Sequence, residues 1–455
     1  MNRSGPRRPL LASMSPAVLI LAGYLVTIAI GGVILWLPFC HTRSVTLGDA
    51  LFTATSALCV TGLIVVDTAT AYTTAGKIVL MLLMQIGGLG YMTITVVAVS
   101  ALRRQGLLLT TRRLATMAGG FATLADILHI AKVIIVASCL AELALAVPLW
   151  FAFRQEHGAL PAVLHALFHS VSAFNNAGFS SFSTGLVPYR DDGLVILPVM
   201  SLIVAGGLGF KVWRDLKHRV LERQPLDLHD KIVLSSTALL LIVPAGLFFL
   251  LESSFQDWHW GERLGASLFA SVTPRTAGFN TVDYNQMSSF GLLMTMTLMF
   301  VGGSPGGTAG GVKTVTAVIV LAWTVATLRG RQSVALFRRT VPADVVVRAF
   351  QTVTIATLGL WGACMILSLV ETPVYDRHGF LRILFELFSA FGTVGLSTGS
   401  ATVANASLVA DMGFAGRLVV AAAMVVGRAG YLIFAASLIV PVRASYEYAK
   451  GEVTL

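Results

Sequence analysis

Charged side chains are scarce in this sequence, and their scarcity indicates the class of protein. Of 455 residues, 12% are charged and 56% are hydrophobic, and the mean hydropathy is +0.80. Soluble proteins carry roughly 25% charged residues. Apolar runs recur along the whole chain and leave no room for a separate soluble domain. The composition therefore predicts an integral membrane protein built from many helices.

Cysteines and clustered reactive groups are also scarce. The four cysteines show no C-x-x-C spacing, so we expect free thiols packed in helices rather than metal ligands or disulfides: Cys40, Cys59, Cys139 and Cys364. No nucleophile–base set or carboxylate pair appears, which argues against a membrane-embedded enzyme. Ion-coupled carriers of organic solutes usually place ionisable groups in mid-helix, and here Glu142 is nearly the only carboxylate well inside a predicted span.

Acidic residues are fewer than basic ones, 22 against 32, and the net charge is +10. The basic excess does not indicate nucleic-acid binding, because 21 of the Lys and Arg lie at the termini or in segments 103–132, 211–231 and 329–348. Only eight lie in the alternate loops. This is the positive-inside pattern, and it predicts the cytoplasmic membrane with both termini cytoplasmic. The apolar run 17–39 is too long for a signal peptide and is expected to be the first span.

Four glycines, each followed by Leu or Phe, recur along the chain at intervals of 116, 100 and 117 residues: Gly62, Gly178, Gly278 and Gly395. A phenylalanine precedes each glycine by 10, 10, 9 and 10 residues, respectively: Phe52, Phe168, Phe269 and Phe385. A repeat of this kind constrains the architecture of the whole chain. Four tight turns in packed helical hairpins are the alternative, but they give no reason for the nearly constant Phe-to-Gly spacing.

Each glycine follows an apolar run that is too short to cross a bilayer, which needs about 20 residues. These re-entrant pore helices are predicted at 50–57, 161–174, 263–272 and 382–391. Spanning helices are predicted at 17–39, 75–102, 127–153, 194–212, 232–251, 290–328, 345–370 and 414–442. The predicted fold is an all-α polytopic membrane protein with four repeats of outer helix, pore helix, filter strand and inner helix around one pore. The repeats cover 1–115, 116–224, 225–340 and 341–455.

Non-helical backbone at membrane depth is tolerated only when it is buried in protein or lines a water-filled cavity. Four such segments around one axis meet that condition, and glycine lets their carbonyls turn inward. A ring of carbonyls can replace the hydration shell of an alkali cation, and the negative C-terminal ends of the pore helices favour a cation there. The predicted filter residues are Thr61, Gly62, Ala177, Gly178, Ala277, Gly278, Val394 and Gly395. The predicted K⁺-coordinating carbonyls are those of Val60, Thr61, Asn176, Ala177, Thr276, Ala277, Thr393 and Val394.

These motifs resemble the Trk/Ktr/HKT superfamily of potassium transporters, and most closely the Ktr-type membrane subunit. The resemblance rests on C-V-T-G-L, N-N-A-G-F, R-T-A-G-F-N-T, T-V-G-L and the glycine-rich run 302–314. It implies potassium uptake through a single gated, channel-like pore, with a sodium-permeable or sodium/proton-coupled cation transporter of the same fold as the alternative. It also implies no covalent cofactor, K⁺ as the transported ion and Na⁺ as a candidate activating ion. Serine at the first filter position accompanies sodium permeation in such relatives.

The resemblance further implies a homodimer in membrane lipid and a cytosolic, nucleotide-binding (RCK-type) regulatory ring, with no nucleic acid as a partner. Only one predicted helix precedes the first pore helix. The extra N-terminal helix pair of Trk-type members is therefore expected to be absent.

The run 302–311 contains six glycines and Pro305, and a helix does not easily continue through it. Uncharged stretches flank it, so we expect the break to lie inside the membrane and to line the pore; a cytoplasmic linker is the alternative. A phosphate-binding loop is excluded because Val312 separates Gly311 from Lys313. The resemblance implies a flexible gate beneath the filter. The predicted gate residues are Gly302, Gly303, Ser304, Pro305, Gly306, Gly307, Thr308, Ala309, Gly310, Gly311, Lys313 and Arg428.

Arg428 occupies the position that is glycine in the other three inner helices: Gly88, Gly207 and Gly303. A guanidinium near mid-helix costs roughly 2.5–3.5 kcal/mol on insertion scales, so it needs a partner or water. We expect Arg428 to face the cavity below the filter or to bond carbonyls freed by the broken third inner helix. A buried ion pair with Glu142 or Glu386 is the alternative.

Four smaller features are open to two interpretations each. The glycine pairs at 87–88 and 206–207 favour close helix packing over a direct role in transport. His165 and His169 have a metal-like spacing, but no third ligand is near, so packing or hydrogen bonding is favoured. Asp67 is either a carboxylate at the pore mouth or a solvated loop acid. Asn175 and Asn176 are expected to brace the second filter strand through side-chain hydrogen bonds.

Overall fold

The computed structural model describes residues 16–90 and 124–430, and within them the chain is mostly helical. The predicted ends of the second and eighth spans, at 91–102 and 431–442, lie outside these residues. So do both termini and the boundary between the first two predicted repeats.

The first half of the chain contains two outer helices, two short buried helices and two inner helices. In the first quarter these are α1 (Pro16–Trp36), α2 (Leu47–Leu58), the single turn α3 (Thr68–Ala71) and α4 (Thr74–Gly88). In the second they are α5 (Leu124–His157), α6 (Ala159–Phe174), the 3₁₀ turn Val187–Tyr189, α7 (Gly193–Leu208) and α8 (Phe210–Glu222).

The second half of the chain has the same order, with additional short elements. The third quarter contains α9 (Leu228–Leu251), the 3₁₀ turn Ser253–Phe255, α10 (Trp260–Val272), α11 (Ser289–Phe300), α12 (Thr314–Leu328) and the antiparallel strands β1 (Ala335–Leu336) and β2 (Arg339–Thr340). The fourth contains α13 (Ala343–Val370), α14 (Thr372–His378), α15 (Phe380–Gly392), the 3₁₀ turn Leu408–Asp411 and α16 (Phe414–Ala429).

The four short helices α2, α6, α10 and α15 match the predicted pore helices. They contain 12 to 16 residues, so each is only about 18–24 Å long at 1.5 Å per residue. The phenylalanine that precedes each repeated glycine is buried on its short helix. Thr46 and Asp49 form a capping box at the start of α2, which satisfies backbone N–H groups that the helix itself cannot.

Three described helices are long and apolar enough to cross a membrane: Ala131–His157, Leu228–Leu251 and Ala343–Val370. A fourth candidate is the bent pair α7 and α8. The other apolar helices are shorter in the described residues, and parts of two predicted spans lie outside them. The eight membrane crossings therefore remain a prediction.

The predicted span at 194–212 is wrong at its C-terminal end. Helix α7 stops at Leu208, and α8 leaves at 99° to it. Gly209 between them has φ +88°, a left-handed value that breaks a helix and that glycine adopts at little cost. By contrast, the predicted break in the third inner helix is confirmed, because α11 ends at Phe300 and α12 begins at Thr314.

The four free cysteines are confirmed as unbridged thiols, but not all of them lie in helices. Cys40 follows Pro38 in a turn after α1, and Cys59 caps the C-terminus of α2. Cys139 lies on α5 but is exposed, whereas Cys364 is buried on α13. The prediction failed because the helices end earlier than their apolar runs do.

The helices pack in cyclic order around the short helices. Within each quarter the outer helix contacts the short helix, and the short helix contacts its own inner helix. Each inner helix also contacts the short helix of the next quarter: α4 on α6, α7 on α10, α11 on α15 and α16 on α2. The last contact closes the cycle, and it brings the four C-terminal ends of the short helices towards one axis.

Candidate functional site

The four repeated glycines lie in a ring at which neighbouring strands touch. A Cβ atom on each glycine would fall less than 3.0 Å from the carbonyl oxygen of the residue before the next glycine. The pairs follow chain order: Gly62 with Ala177, Gly178 with Ala277, Gly278 with Val394 and Gly395 with Thr61. Side chains are excluded at all four positions, so only glycine lets the strands approach this closely.

The same conformation recurs in each of the four strands. Each glycine has a φ between +69° and +96°, and the residue two positions before it also has a positive φ, between +52° and +69°. These earlier residues are Val60, Asn176, Thr276 and Thr393, and three of them are β-branched, for which a positive φ is a genuine outlier. Strain repeated in four strands and maintained by burial is typical of a functional site.

A hydroxyl group in the last turn of each short helix, or directly after it, hydrogen-bonds the strand that follows. Ser56 and Ser389 accept the N–H of Gly62 and Gly395 at 3.0 and 2.9 Å. Ser172 Oγ instead donates to the carbonyl of Phe179 at 2.8 Å. Sequence reasoning missed these supports, although a Ser six residues before glycine in three repeats was a visible signal.

The structure of the third repeat shows why its Phe-to-Gly spacing is one residue shorter than in the other repeats. Thr273, five residues before Gly278, replaces the serine and donates to the carbonyl of Phe279 at 2.6 Å. Its backbone carbonyl accepts from Ala277 at 2.9 Å. The strand is thus one residue shorter, yet its glycine still reaches the ring.

The predicted coordinating residues are all buried: Val60, Thr61, Asn176, Ala177, Thr276, Ala277, Thr393 and Val394. Three threonine hydroxyls among them have no hydrogen-bond partner within the described part of the chain: Thr61, Thr276 and Thr393. Buried oxygen atoms without a donor are costly unless something else satisfies them. A desolvated cation is a chemically suitable partner for such oxygens.

Hydrogen bonds also join neighbouring quarters just beyond the glycines. Ile64 exchanges two bonds with Ser407, at 2.9 and 3.0 Å. The other three junctions are Ser183 Oγ to Asp67 at 2.6 Å, the N–H of Leu186 to Asn280 O at 3.0 Å, and Arg382 to Asn285 O at 3.3 Å. Every junction of the ring is therefore bridged by at least one hydrogen bond.

Asp67 contributes to these connections, because its carboxylate caps α3 and accepts hydrogen bonds from Ala69 and Ser183. Asp411 has a similar part in the fourth quarter. Burial alone would raise the pKa of Asp411, but hydrogen bonds from Ser400, Ala401 and His378 at 2.6–2.7 Å hold it well below its ordinary value.

The two ends of the glycine-rich segment lie side by side. Gly302 N–H donates to Val312 O at 2.9 Å, and Val301 pairs with Val312 as an isolated parallel bridge. Residues 303–311 therefore form a loop that is closed at its base, which we call the glycine loop. Its base would tolerate a shorter tip, since the two ends already meet.

The glycine loop docks on the second quarter, directly below the filter strand. Thr308 N–H donates to Gly206 O at 3.0 Å, and Ser304 N–H donates to Gly207 O at 2.9 Å. Thr308 Oγ1 donates to the last carbonyl of α6, that of Phe174, at 3.1 Å. The side-chain amide of Asn176 lies 3.2 Å from the same hydroxyl. On the opposite side, Gly310 packs against Thr393.

Arg428 on α16 contacts the glycine loop from the fourth quarter. Its guanidinium donates to the carbonyl of Thr308 and to those of Gly87 and Gly88, the last at 3.3 Å. In the described residues it forms no ion pair with Glu142 or Glu386. Lys313, at the end of the glycine loop, donates to Ala309 O at 2.6 Å. The predicted gate residues thus lie together, but their gating role remains a prediction.

Glu142 takes part in a buried network that the sequence did not reveal. Gln85 Nε2 on α4 donates to both carboxylate oxygens at 3.1 and 3.2 Å. Asn175 Nδ2, at the end of α6, donates to Gln85 at 2.7 Å and to Glu142 at 3.2 Å. The predicted bracing by Asn175 is confirmed. The network ties the second filter strand to the outer helix α5 and to the preceding inner helix.

The glycine pairs at 87–88 and 206–207 allow the inner helices to pack closely, as expected. Gly87 and Gly206 lie against the last carbonyls of their short helices, those of Leu58 and Phe174. Gly427 lies in the same way against Phe391. His165 and His169 hydrogen-bond Ser181 and Ser180 at 2.6 and 2.9 Å and pack around Phe182, which is the predicted packing and hydrogen bonding.

Comparison with known proteins identifies similar sequences over almost the whole chain. The family model for TrkH, described as a cation transport protein, matches residues 11–445. A potassium/sodium uptake protein, NtpJ of Enterococcus hirae, is 39% identical over 97% of both chains. Protein B of the Ktr system for potassium uptake in Bacillus subtilis is 36% identical over 96% of both.

A solved structure has the same fold. The potassium transporter TrkH from Vibrio parahaemolyticus superposes with a TM-score of 0.72, over 97% of this chain and 87% of that one. At 18% identity the likeness shows the fold alone. It agrees with a mostly helical, polytopic architecture.

Proposed function

The chain belongs to the TrkH family of cation transport proteins, a family of transporters and not of enzymes, and we propose that it takes up potassium through one gated pore on the axis of the glycine ring. The ion crosses the cytoplasmic membrane in this proposal. Both termini, the 211–231 segment and the 329–348 segment face the cytoplasm, in keeping with the positive-inside charge pattern.

The ring of four close-packed glycines is the observation that carries the proposal. It brings four strained strands to one axis, and the buried carbonyls of the residues before each glycine lie at the strand contacts. Carbonyl oxygens in a ring can substitute for the hydration shell of K⁺. The four repeats, with boundaries at 115, 224 and 340, each supply one glycine in this proposal.

The support for potassium comes from relatives whose names state their ions. Ktr system proteins B and D of Bacillus subtilis, the latter 33% identical over 98% of both chains, are potassium uptake proteins. The Enterococcus relative is named for potassium and sodium. Sodium permeation, or activation by sodium, is therefore the second candidate, and the filter itself must be tested for it.

The glycine loop with Lys313 and Arg428 is the proposed gate. The glycine loop bonds the second quarter at Gly206 and Gly207 and meets the fourth quarter at Arg428 and Thr393. A segment held between opposite quarters beneath the filter can block a pore by docking and open it by release. Its glycine content allows that movement.

Ion flux into proteoliposomes tests the proposal. Purified protein should carry K⁺ and Rb⁺ in preference to Na⁺, and a proton-sensitive dye should report no coupled proton movement. Uptake in potassium-uptake-deficient cells provides a second measurement. Equal K⁺ and Na⁺ flux would favour the sodium-permeable alternative, and flux strictly coupled to Na⁺ or H⁺ would favour a carrier of the same fold.

A further inference from the structure

Helix α8 runs almost perpendicular to the helix before it. It leaves the apolar helix α7 at 99°, and α9 begins only a few residues after α8 ends. If α7 and α9 cross the membrane as the sequence predicts, a helix at this angle to α7 runs along the membrane surface. Gly209 fixes the bend, since its φ is +88° and a Cβ there would lie 2.7 Å from Pro305 O.

The composition of α8 suits that position. Its accessible apolar side chains include Trp213, Val220 and Leu221, which are 45%, 75% and 68% exposed. Tryptophan is enriched where an apolar ring meets the polar edge of a bilayer. Basic residues alternate with these apolar ones: Lys211, Arg214, Lys217, Arg219 and Arg223.

The basic residues of α8 fall into two groups. Lys211 and Arg214 are engaged within the protein: Lys211 donates to Asp215, Asp227 and Asp230 at 2.6–3.1 Å, and Arg214 donates to Asp215. Burial would lower the pKa of Lys211, but the three carboxylates raise it above its ordinary value. The ammonium group fills this acidic cluster and ties α8 to the start of α9.

Lys217, Arg219 and Arg223 form the second group, which we call the basic triad. All three are exposed, and none forms an ion pair with a carboxylate anywhere in residues 16–90 or 124–430. Exposed cations beside exposed apolar side chains, on a helix at the cytoplasmic surface, have the charge and polarity that complement anionic phospholipids.

The start of α8 also touches the glycine loop. Phe210 N–H donates to Gly306 O at 3.3 Å, and the backbone at Gly209 lies against Pro305. Trp213 Nε1 donates to Ala205 O at 2.8 Å, which ties the first turn of α8 to the end of α7. A shift of α8 is therefore transmitted by backbone contacts to residues 305–307.

We propose that α8 is a binding surface for anionic phospholipid headgroups, engaged by the basic triad, and that this engagement keeps the glycine loop docked. The second half of this proposal rests on the proposed gating function, whereas the first does not. Lipid that fixes α8 in the membrane plane also fixes the Phe210–Gly306 contact. Anionic lipid thus lowers the resting ion flux.

The first experiment measures headgroup binding without transport. Full-length protein in neutral detergent is titrated with phosphatidylglycerol or phosphatidylcholine, and the melting temperature is followed. The variant is Lys217→Gln/Arg219→Gln/Arg223→Gln, and the matched control is Arg331→Gln/Arg338→Gln/Arg339→Gln, which removes the same charge from another exposed basic segment. Phosphatidylglycerol should stabilise the wild type and the control, and each lost triad charge should weaken its apparent affinity by about fivefold.

The second experiment measures Rb⁺ flux in vesicles of phosphatidylcholine with and without phosphatidylglycerol. The anionic lipid should lower the resting flux of the wild type and the control but not that of the triad variant. Equal stabilisation of all three proteins overturns headgroup binding. If phosphatidylglycerol no longer stabilises the triad variant but still lowers its Rb⁺ flux, the proposed coupling between α8 and the glycine loop is overturned.

Two further outcomes are decisive. If the triad variant keeps its lipid response but loses its response to a soluble regulatory protein, the basic triad is a protein-binding surface and the lipid proposal fails. If no protein carries Rb⁺ in any vesicle, the proposed function fails, while the melting experiment still decides headgroup binding.

Discussion

At the scale of single residues, the filter glycines leave no space for a side chain. Gly62→Ser would place a Cβ 2.5 Å from the carbonyl oxygen of Ala177, at a φ of +96°. The oxygen must move, and the ring then fits a dehydrated K⁺ less well. We expect the K⁺-over-Na⁺ flux ratio to fall about 5–30-fold, which corresponds to 1–2 kcal/mol of selectivity.

Gly330→Ser is the matched control for this filter variant. Gly330 also has a positive φ, +68°, but no atom lies within 4 Å of a Cβ there. It carries the same type of backbone strain without approaching a carbonyl, so its flux ratio should be that of the wild type. A Gly62→Ser protein with an unchanged ratio would remove Gly62 from the filter.

Arg428 supplies a second prediction at this scale, because its guanidinium connects the glycine loop to the inner helix of the first quarter through backbone carbonyls. Arg428→Gln should alter the half-saturation or the maximal rate of K⁺ uptake while the protein still folds and inserts. A lost hydrogen bond to a charged group is worth about 1.5–3 kcal/mol. Uptake kinetics on membranes with matched expression measure the effect.

Arg428→Lys separates charge from geometry in the same assay. Lysine keeps the charge but cannot bridge Thr308 and Gly87 with one planar fork. If Arg428 acts because its charge repels passing ions, the lysine variant should resemble the wild type. If Arg428 acts because its guanidinium group holds the glycine loop, the lysine variant should resemble Arg428→Gln. Wild-type kinetics in both variants would mean that Arg428 takes no part in transport.

Individual residues also show how far sequence reasoning reaches. The four glycines were predictable because their spacing from phenylalanine recurs along the chain. The Gln85–Glu142–Asn175 network was not, since its members lie 33 to 90 residues apart and nothing local marks them as partners. Ser56 and Ser389 look like ordinary small residues of a membrane helix until their bonds to the glycine N–H groups are seen.

At the scale of whole elements, the glycine loop is the segment whose removal is most informative. Its ends meet at Gly302 and Val312, so deletion of residues 305–307 should leave the base intact. The deletion removes Gly306, which accepts from Phe210, and it displaces Ser304 and Thr308, which donate to Gly207 and Gly206. We expect a resting Rb⁺ flux above that of the wild type and a loss of response to any regulator.

Replacement of Phe337 and Arg338, the two turn residues of the β1–β2 hairpin, by glycine is the control, because it alters an exposed turn elsewhere and keeps its connection. Size-exclusion chromatography checks that both variants fold. A folded 305–307 deletion with the resting flux of the wild type would show that the glycine loop is not the gate.

The outer loop of the fourth quarter gives a prediction about pH and stability. The side chain of Asp411 is fully buried and accepts hydrogen bonds from Ser400, Ala401 and His378. Its pKa is depressed in the folded state, so its contribution to stability is present above the unfolded value of about 3.9 and is lost as the pH falls below it.

Asp411→Asn should therefore lower stability by about 1–3 kcal/mol at neutral pH. The difference from the wild type should shrink as the pH is lowered through the range in which Asp411 becomes protonated. Melting temperatures in detergent measure both effects, with the exposed Asp376→Asn as control. A pH-independent difference would mean that the carboxylate charge is not what fastens the loop.

Elements differ in how visible their ends are in the sequence. The break between α11 and α12 was predictable, because six glycines and a proline interrupt an uncharged run. The bend after α7 was not, because Gly206, Gly207 and Gly209 lie among apolar residues, and small residues in such a run usually indicate close helix packing. Contact of Gly209 with Pro305, almost a hundred residues further on, selects the bend.

At the scale of the whole molecule, the cyclic order of the quarters makes the pore possible. Four repeats are visible in the sequence as a period, but a period alone does not close a ring. Closure comes from the contact of α16 with α2, from Gly395 against Thr61 and from Ser407 with Ile64. These contacts join residues more than 300 positions apart, which local patterns cannot reveal.

The last prediction concerns assembly, because the described residues contain no soluble sensor while the proposed gate needs an input. Relatives in Bacillus subtilis are named as components of a Ktr system. We therefore expect a homodimer that binds a cytosolic, nucleotide-binding regulatory ring. Light scattering should give the mass of two chains, and ATP and ADP should change Rb⁺ flux only when the regulator is present. The 305–307 deletion should bind the regulator but ignore the nucleotide. A monomer whose flux is unaffected by regulator and nucleotides would refute this assembly and leave the pore to act alone.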